Sequence, residues 1–214
     1  MVYLCPMRIL VVSATENEIQ MLENFIGENK SIQSTDILVT GVGSIATAHA
    51  LTKHLLKEQY DLALNFGLAG SFNKDLEIGS VVNVTQEHFA DLGAEDGENF
   101  LTLEEIGLTG SNEIINMTEI KNAVLELIPL VCGITVNTIH GDEASIEKVF
   151  NRFHPNTESM EGAAFLYCCI HEKIPCAQIR AISNFVERRN KNNWNIPLAI
   201  ENLNKKAIEI IKAF

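Results

Sequence analysis

Short continuous runs of Val, Ile, Leu and Ala alternate along this chain with longer amphipathic segments, and that alternation constrains the fold more than any other feature. Met7 to Ser13, Ile37 to Thr40, Leu62 to Phe66, Val81 to Thr85, Ile134 to Ile139 and Cys176 to Ser183 read as strands. Their apolar residues are consecutive rather than alternating, which is the pattern of strands covered on both faces. Between them, Glu16 to Ile26, Ser44 to Leu56, 143–153, 160–172 and Pro197 to Lys212 read as helices. Residues 90–130 read as irregular and acidic in patches, with one more helix near 119–127. Strands and helices in alternation imply an α/β fold with a largely parallel sheet between two helical layers. No repeat, low-complexity tract or Pro-rich linker interrupts the chain, so 1–214 is expected to be one domain. In such sheets ligands bind at the carboxyl ends of strands. The candidates are therefore the polar strand-end residues Glu16, Glu18, Gly41 to Ser44, Gly67 to Ser71, Ser183 and Asn184.

Charge and composition narrow the partners. The formal net charge is -12, which argues against nucleic acid and against an anionic membrane surface. No apolar run approaches the roughly 20 residues of a membrane span. Residues Met1 to Pro6 carry neither a basic region nor a cleavable apolar stretch, so no export signal and a cytoplasmic location are expected. The five Cys form no CxxC pair, and Cys168 and Cys169 are adjacent in a helical segment. All five are expected as reduced core residues. The six His show no HExxH and no ligand spacing with Cys, so no metal and no cofactor is expected.

Gly41-Val42-Gly43-Ser44-Ile45-Ala46 follows a strand and opens a helix, matching the GxGxxA dinucleotide fingerprint. The fingerprint also requires an acid at the end of the next strand. Here Asp61 precedes that strand, which ends in Asn65-Phe66-Gly67. The glycines are therefore read as permitting a tight turn and close helix packing.

Three segments together carry chemistry: Ala14-Thr15-Glu16-Asn17-Glu18-Ile19, Glu158-Ser159-Met160-Glu161-Gly162-Ala163-Ala164, and Arg180-Ala181-Ile182-Ser183-Asn184. Each has a plain structural explanation, such as a carboxylate at a helix N-terminus. Their joint occurrence in this order resembles the purine nucleoside phosphorylase/hydrolase superfamily on its nucleosidase side. Within it the chain is similar to the futalosine hydrolases, relatives of the methylthioadenosine/S-adenosylhomocysteine nucleosidases. Met7 to Ile19, Thr40 to Ala46 and Asn65 to Gly70 extend the match, and Phe185 to Arg188 with Trp194 to Ala199 most resemble the futalosine branch.

The resemblance implies a three-layer α/β/α sandwich with a central twisted mixed sheet. It implies hydrolysis of the N-glycosidic bond of a purine nucleoside by a homodimer or larger homo-oligomer, with the neighbouring copy closing the 5' pocket and His88 to Asp91 near that interface. By this resemblance Glu18 deprotonates the attacking water, and Glu161 accepts hydrogen bonds from the ribose 2'- and 3'-hydroxyls. Met160 packs on the sugar beside Ser159, Ala69 and Gly70 line the base pocket, and Ser183 orients Asn184. The chemistry suits these residue types: glycosidic cleavage builds positive charge on the sugar, which a carboxylate stabilises.

Asn184 stands where adenine-cleaving relatives carry Asp. An amide has both a donor and an acceptor. Its NH2 suits the O6 of hypoxanthine and its oxygen the N7 proton, so a 6-oxopurine leaving group is expected. Phosphorolysis would need cations for phosphate; Asn65 occupies the position of a phosphorylase Arg, so water is the expected nucleophile. Arg188, Arg189 and Lys191 are candidates to meet a carboxylate on the 5' substituent. The Phe-Ile pair that covers the base in adenine-cleaving relatives is missing: Gly141-Asp142 runs into Glu143-Ala144-Ser145-Ile146, and the stacking residue is unassigned. Alternatives are another purine nucleosidase or phosphorylase, or a non-catalytic nucleoside-binding protein, from which Glu18 is expected to distinguish the enzyme.

Overall fold

The structure is a computed structural model that describes residues 7–29, 32 and 34–214. Strand β1 (Ile9–Ser13) is buried at every position, as its unbroken apolar run requires. It is flanked in parallel by β2 (Thr35–Val39) and β3 (Leu62–Ser71). Helix α1 (Glu16–Glu28) links β1 to β2, and α2 (Ser44–Leu55) links β2 to β3. Then follow β4 (Val81–Phe89), a small hairpin of β5 (Ala94–Asp96) and β6 (Asn99–Leu101), β7 (Glu113–Ile115) and β8 (Leu130–Thr135). Helix α3 (Glu143–Phe153), β9 (Thr157–Ser159), α4 (Gly162–His171), β10 (Cys176–Phe185) and α5 (Ile196–Lys212) complete the order.

The two faces of the sheet build two cores. Ile9, Val11, Leu62, Leu64, Phe66, Ile179 and Ala181 meet Ile19 and Leu22 of α1 and Leu203, Ala207 and Ile210 of α5. The intervening residues Leu10, Val12, Ala63 and Cys176 meet Leu51 and Leu55 of α2 and Phe165, Leu166 and Cys169 of α4. The period-two alternation of a strand sends successive side chains into opposite layers. Each fully buried Leu, Ile or Phe contributes roughly 1.5–3 kcal/mol. This is the expected three-layer α/β/α arrangement around a mixed sheet.

The sheet does more than lie flat between helices. Its order is β10-β4-β8-β9-β3-β1-β2, and β3 also pairs with β10. Five strands, β3, β10, β4, β8 and β9, therefore close into a ring, while β7 adds to β4 from outside. The closing piece is β9, which is parallel to β8 through Gly133↔Thr157 and antiparallel to β3 through Gly70↔Glu158.

Several element boundaries differ from expectation for physical reasons. β3 continues through Gly67-Leu68-Ala69-Gly70 because β10 pairs with it as far as Phe185↔Ser71, so its backbone is satisfied despite the weak strand propensity of glycine. The strand expected over Ile134–Ile139 is Leu130–Thr135, because its parallel partner β4 ends at Phe89↔Thr135. The helix expected near 119–127 is only a 3-10 turn at Leu125–Leu127: Asn122 Oδ1 accepts from the Val124 and Leu125 N–H groups, and Ile128 is extended ahead of Pro129. Of the cysteines, Cys168, Cys169 and Cys176 are buried and free as expected, Cys132 is only partly buried, and Cys5 lies outside the described residues, as does the Met1–Pro6 segment. Among the described residues no helix is long and apolar enough to cross a membrane, and no group of His, Cys, Asp and Glu has metal-binding geometry.

Candidate active site

Glu18 is the third residue of α1 and completes a capping box with Thr15. Its Oε2 accepts from the Thr15 amide at 3.1 Å, the Thr15 hydroxyl at 2.9 Å and the Ser13 hydroxyl at 3.3 Å. Its Oε1 accepts from the Leu68 amide at 3.1 Å, which pins α1 to β3. Four donors thus hold one side chain, with one oxygen anchored in the helix cap and the other turned toward β3. Glu16, its neighbour in the same turn, is exposed.

Glu161 caps α4, is 7% exposed, and accepts from the Gly43 amide through Oε1 at 2.9 Å. The GxGxxA turn explains that donor. Gly43 has φ 95 and Gly41 has φ 87, conformations that favour glycine, and they turn the chain so that the Gly43 N–H faces Glu161. Ser44 Oγ donates to the Met160 carbonyl at 3.2 Å, so the same turn also fixes Met160. The turn packs on the first strand end through Thr40 N to Ser13 O and Gly41 N to Ala14 O.

Close to Glu18, beside Gly67, lies Arg180, a residue the sequence reading quoted within its segment but gave no role. It is 1% exposed. Its Nε donates to Gln178 Oε1 at 3.0 Å, while Nη2 has no hydrogen-bond partner among the described residues. A Cβ placed on Gly67 would lie 2.0 Å from Arg180 Nη1 and 3.4 Å from Glu18 Oε1. Glycine at 67 is therefore the space in which guanidinium and carboxylate approach each other. A buried Arg in an otherwise apolar strand was itself the signal available in the sequence.

Behind Arg180 sits Glu87, 1% exposed, which sequence reasoning missed because nothing in Thr85-Gln86-Glu87-His88 marks it. Burial pushes its carboxyl up to about 7, against the opposing pull of Arg180 and of the Thr135 hydroxyl, with Glu161 adding to the rise. Thr135 Oγ1 donates to Glu87 Oε2 at 3.0 Å and accepts from the Ala163 amide at 2.8 Å. A Cβ on Gly162 would fall 2.2 Å from Glu87 Oε1 and 2.2 Å from Gln178 Oε1. The start of α4, and with it Glu161, thus rests on a buried polar layer that only glycine lets it approach.

Ser183 Oγ donates to Asn184 Oδ1 at 2.8 Å, and Asn184 Nδ2 donates to the Phe185 carbonyl at 2.9 Å. One amide hydrogen and one oxygen lone pair of Asn184 remain for a ligand. Ala69 and Gly70 lie beside them, since Ser183 Oγ approaches the Ala69 carbonyl at 3.3 Å and Gly70 pairs with Asn184. Ser159 turns inward, its hydroxyl accepting from the Gly162 amide at 3.3 Å. Glu18, Ser159, Met160, Glu161, Ala69, Gly70, Ser183 and Asn184 therefore gather at one end of the sheet. Arg188 and Lys191 are exposed, and the Arg189 guanidinium lies 5.0 Å from the Trp194 ring centroid.

The chain matches the family model described as "Phosphorylase superfamily" over residues 8–214. It is 32% identical over 177 residues to the futalosine hydrolase of Acidothermus cellulolyticus, covering 79% of this chain and 72% of that one. It is 26% identical to the 5'-methylthioadenosine/S-adenosylhomocysteine nucleosidase of Bacillus subtilis, covering 86% of this chain and 88% of that one. The futalosine hydrolase structure of Helicobacter pylori superposes with a TM-score of 0.82 at 16% identity, covering 96% and 97% of the two chains. The chain belongs to the phosphorylase superfamily and, within it, groups with the futalosine hydrolases.

Proposed function

We propose that this chain is an N-glycosyl hydrolase that splits futalosine into hypoxanthine and the dehypoxanthinyl product used in menaquinone synthesis, with residues 8–214 acting as one catalytic domain. The observation that carries the chemistry is the approach of Glu18 Oε1 and the Arg180 guanidinium to the same space beside Gly67. The names of the relatives support the choice of substrate.

In this reading a water sits between Glu18 Oε1 and Arg180. The carboxylate takes its proton as the oxygen attacks the anomeric carbon, and the guanidinium orients it. A positioned base of this kind contributes typically ~10²–10⁴-fold. As the base departs the ribose gains positive charge, which the anionic Glu161 stabilises while it holds the 2'- and 3'-hydroxyls; each such hydrogen bond contributes roughly 1.5–3 kcal/mol. The Gly43 amide keeps Glu161 from swinging out of position. The departing base takes up a proton from solvent at N7, and Asn184, held by Ser183, accepts a hydrogen bond from that N7–H on its oxygen and donates to O6.

Arg180 also favours a rival chemistry, because a buried guanidinium with an unpartnered nitrogen suits phosphate. Against phosphorolysis stands Glu18, which shares the same gap and would repel a dianion. The deciding experiment incubates the protein with futalosine, inosine, adenosine and methylthioadenosine, with and without phosphate, and reads the released base. Hypoxanthine from futalosine at a rate independent of phosphate is expected. Phosphate dependence, or faster release of adenine from methylthioadenosine, would overturn the reading.

We further infer that a second copy of the chain completes the site. Val42 and Ile45 are 57% and 83% exposed beside Gly43, an apolar surface that a partner would cover. Sedimentation showing only monomer at micromolar concentration would refute this.

A further inference from the structure

We propose that His140, held by Glu158, reads the N1 position of the purine and so sets the preference for 6-oxopurines on the side of the 6-oxo group opposite the N7 that Asn184 meets. This inference rests on the chain's being a purine nucleosidase.

The argument starts from strand register. Gly70 pairs with Glu158 on one side and with Asn184 on the other. Directly paired residues project to the same face of a sheet. Glu158, Gly70 and Asn184 therefore form one transverse row, with the side chain missing from its middle. Adjacent strands lie about 4.8 Å apart, so the outer two backbones are roughly 10 Å apart. That span fits a purine with one hydrogen-bonding group at each end. A Cβ on Gly70 would reach Asn184 Nδ2 at 3.2 Å and Val186 Cγ2 at 2.9 Å, so only glycine leaves room for both side chains beside the row.

At the end opposite Asn184, Glu158 is 4% exposed. Its Oε1 accepts from the His140 amide at 3.0 Å, and its Oε2 is bonded to His140 Nδ1. With Nδ1 donating to that carboxylate, the neutral ring presents a lone pair at Nε2. Nε2 has no protein partner among the described residues, and the side chain is 18% exposed. Gly141, the next residue, accepts from the Arg189 amide at 3.1 Å, which closes the rim between His140 and the strand bearing Asn184. This is the loop from which the Phe-Ile pair of the adenine-cleaving relatives is missing.

A 6-oxopurine carries hydrogen on N1 and adenine carries a lone pair there. The Nε2 acceptor therefore binds the first and opposes the second. Asn184 makes the same distinction at O6, so the neighbouring N1 and O6 positions are read by separate groups with the same sign.

Calorimetric binding of hypoxanthine, 1-methylhypoxanthine and adenine to the full chain tests this in the wild type, His140→Ala and His140→Gln, with futalosine hydrolysis followed in parallel. The wild type is expected to prefer hypoxanthine over 1-methylhypoxanthine by ~10-fold or more, the scale of leaving one buried polar group unpaired. In His140→Ala the ratio should collapse to within ~3-fold, and in His140→Gln the side-chain oxygen should restore part of it. An unchanged ratio in His140→Ala, or equal loss of all three bases in both variants, overturns the proposal. Hypoxanthine release by a wild type that binds the N1-methyl base equally well removes this inference alone. A wild type that binds no purine and cleaves no nucleoside removes the functional reading as well.

Discussion

Glu18 serves two structures with its two oxygens: Oε2 belongs to the cap of α1 and Oε1 to the gap beside Arg180. The sequence offered a choice between capping and catalysis for this residue, and the structure unites them. Its presence alone thus does not separate an enzyme from a non-catalytic descendant, since a binding protein would also keep the cap. Glu18→Gln retains an oxygen for the Thr15 donors but sets its NH2 against the Leu68 amide and no longer accepts a proton. Turnover of futalosine is expected to fall ~10²–10⁴-fold, with stability lowered by about 1–3 kcal/mol. Steady-state kinetics beside a melting curve checks both. Asn184→Asp addresses the leaving group. The relative rate on adenine nucleosides over 6-oxopurine nucleosides should rise, because a protonated acid donates to N7 and no longer offers an amide NH2 to O6. A ratio that stays level in competition assays refutes the assignment.

Among the elements, the long strands and helices were legible in the sequence because each carries its own apolar period: β1, α2, α3 and α5 lie within two residues of expectation. The rule that ligands gather at strand carboxyl ends then nominated Glu18, Gly43 and Asn184. What could not be read was set by partners distant in sequence. β9 is three residues long and exists only because β8 and β3 flank it, so Glu158 gave no sign of pairing with Gly70. Glu87 and Gln178 are ordinary strand residues until α4 is laid over them at Gly162. The glycines within β3 were read only as strand-end residues and are also clearance for the side chains of Arg180 and Asn184. Gly67→Ala tests that directly. The added methyl would meet Arg180 Nη1 at 2.0 Å, so the guanidinium must move. A displacement of about 1 Å near reacting groups can cost ~10²-fold, and kcat is expected to fall by about that factor while KM changes less. Kinetics indistinguishable from wild type would remove Arg180 from the site.

For the molecule as a whole, Glu87 links stability to pH. Burial raises its carboxyl to about 7 from an ordinary 4.5. Below pH 4.5 both folded and unfolded chains carry the proton. Between there and 7 the unfolded chain releases it first, so folding binds a proton and stability falls as pH rises through that window. The loss amounts to something on the order of 3 kcal/mol for this group. Glu87→Gln should have a flatter profile between pH 5 and 8, with the largest gain over wild type at the alkaline end, as read from melting temperatures across that range. Parallel profiles for the two proteins would refute the linkage.

The ring of β3, β10, β4, β8 and β9 has a further consequence. A strand in an open sheet can slide by two residues and disturb only its neighbours, but a strand in a closed circuit cannot, because each seam must absorb the slip of the others. Inserting a single residue within Thr157–Ser159 would turn Glu158 away from Gly70 and Asn184 and pass the mismatch around the circuit. Lengthening the β5–β6 hairpin, whose strands pair only with each other, would leave every seam as it was. Tolerance to insertion should therefore track membership of the circuit rather than distance from the reacting atoms.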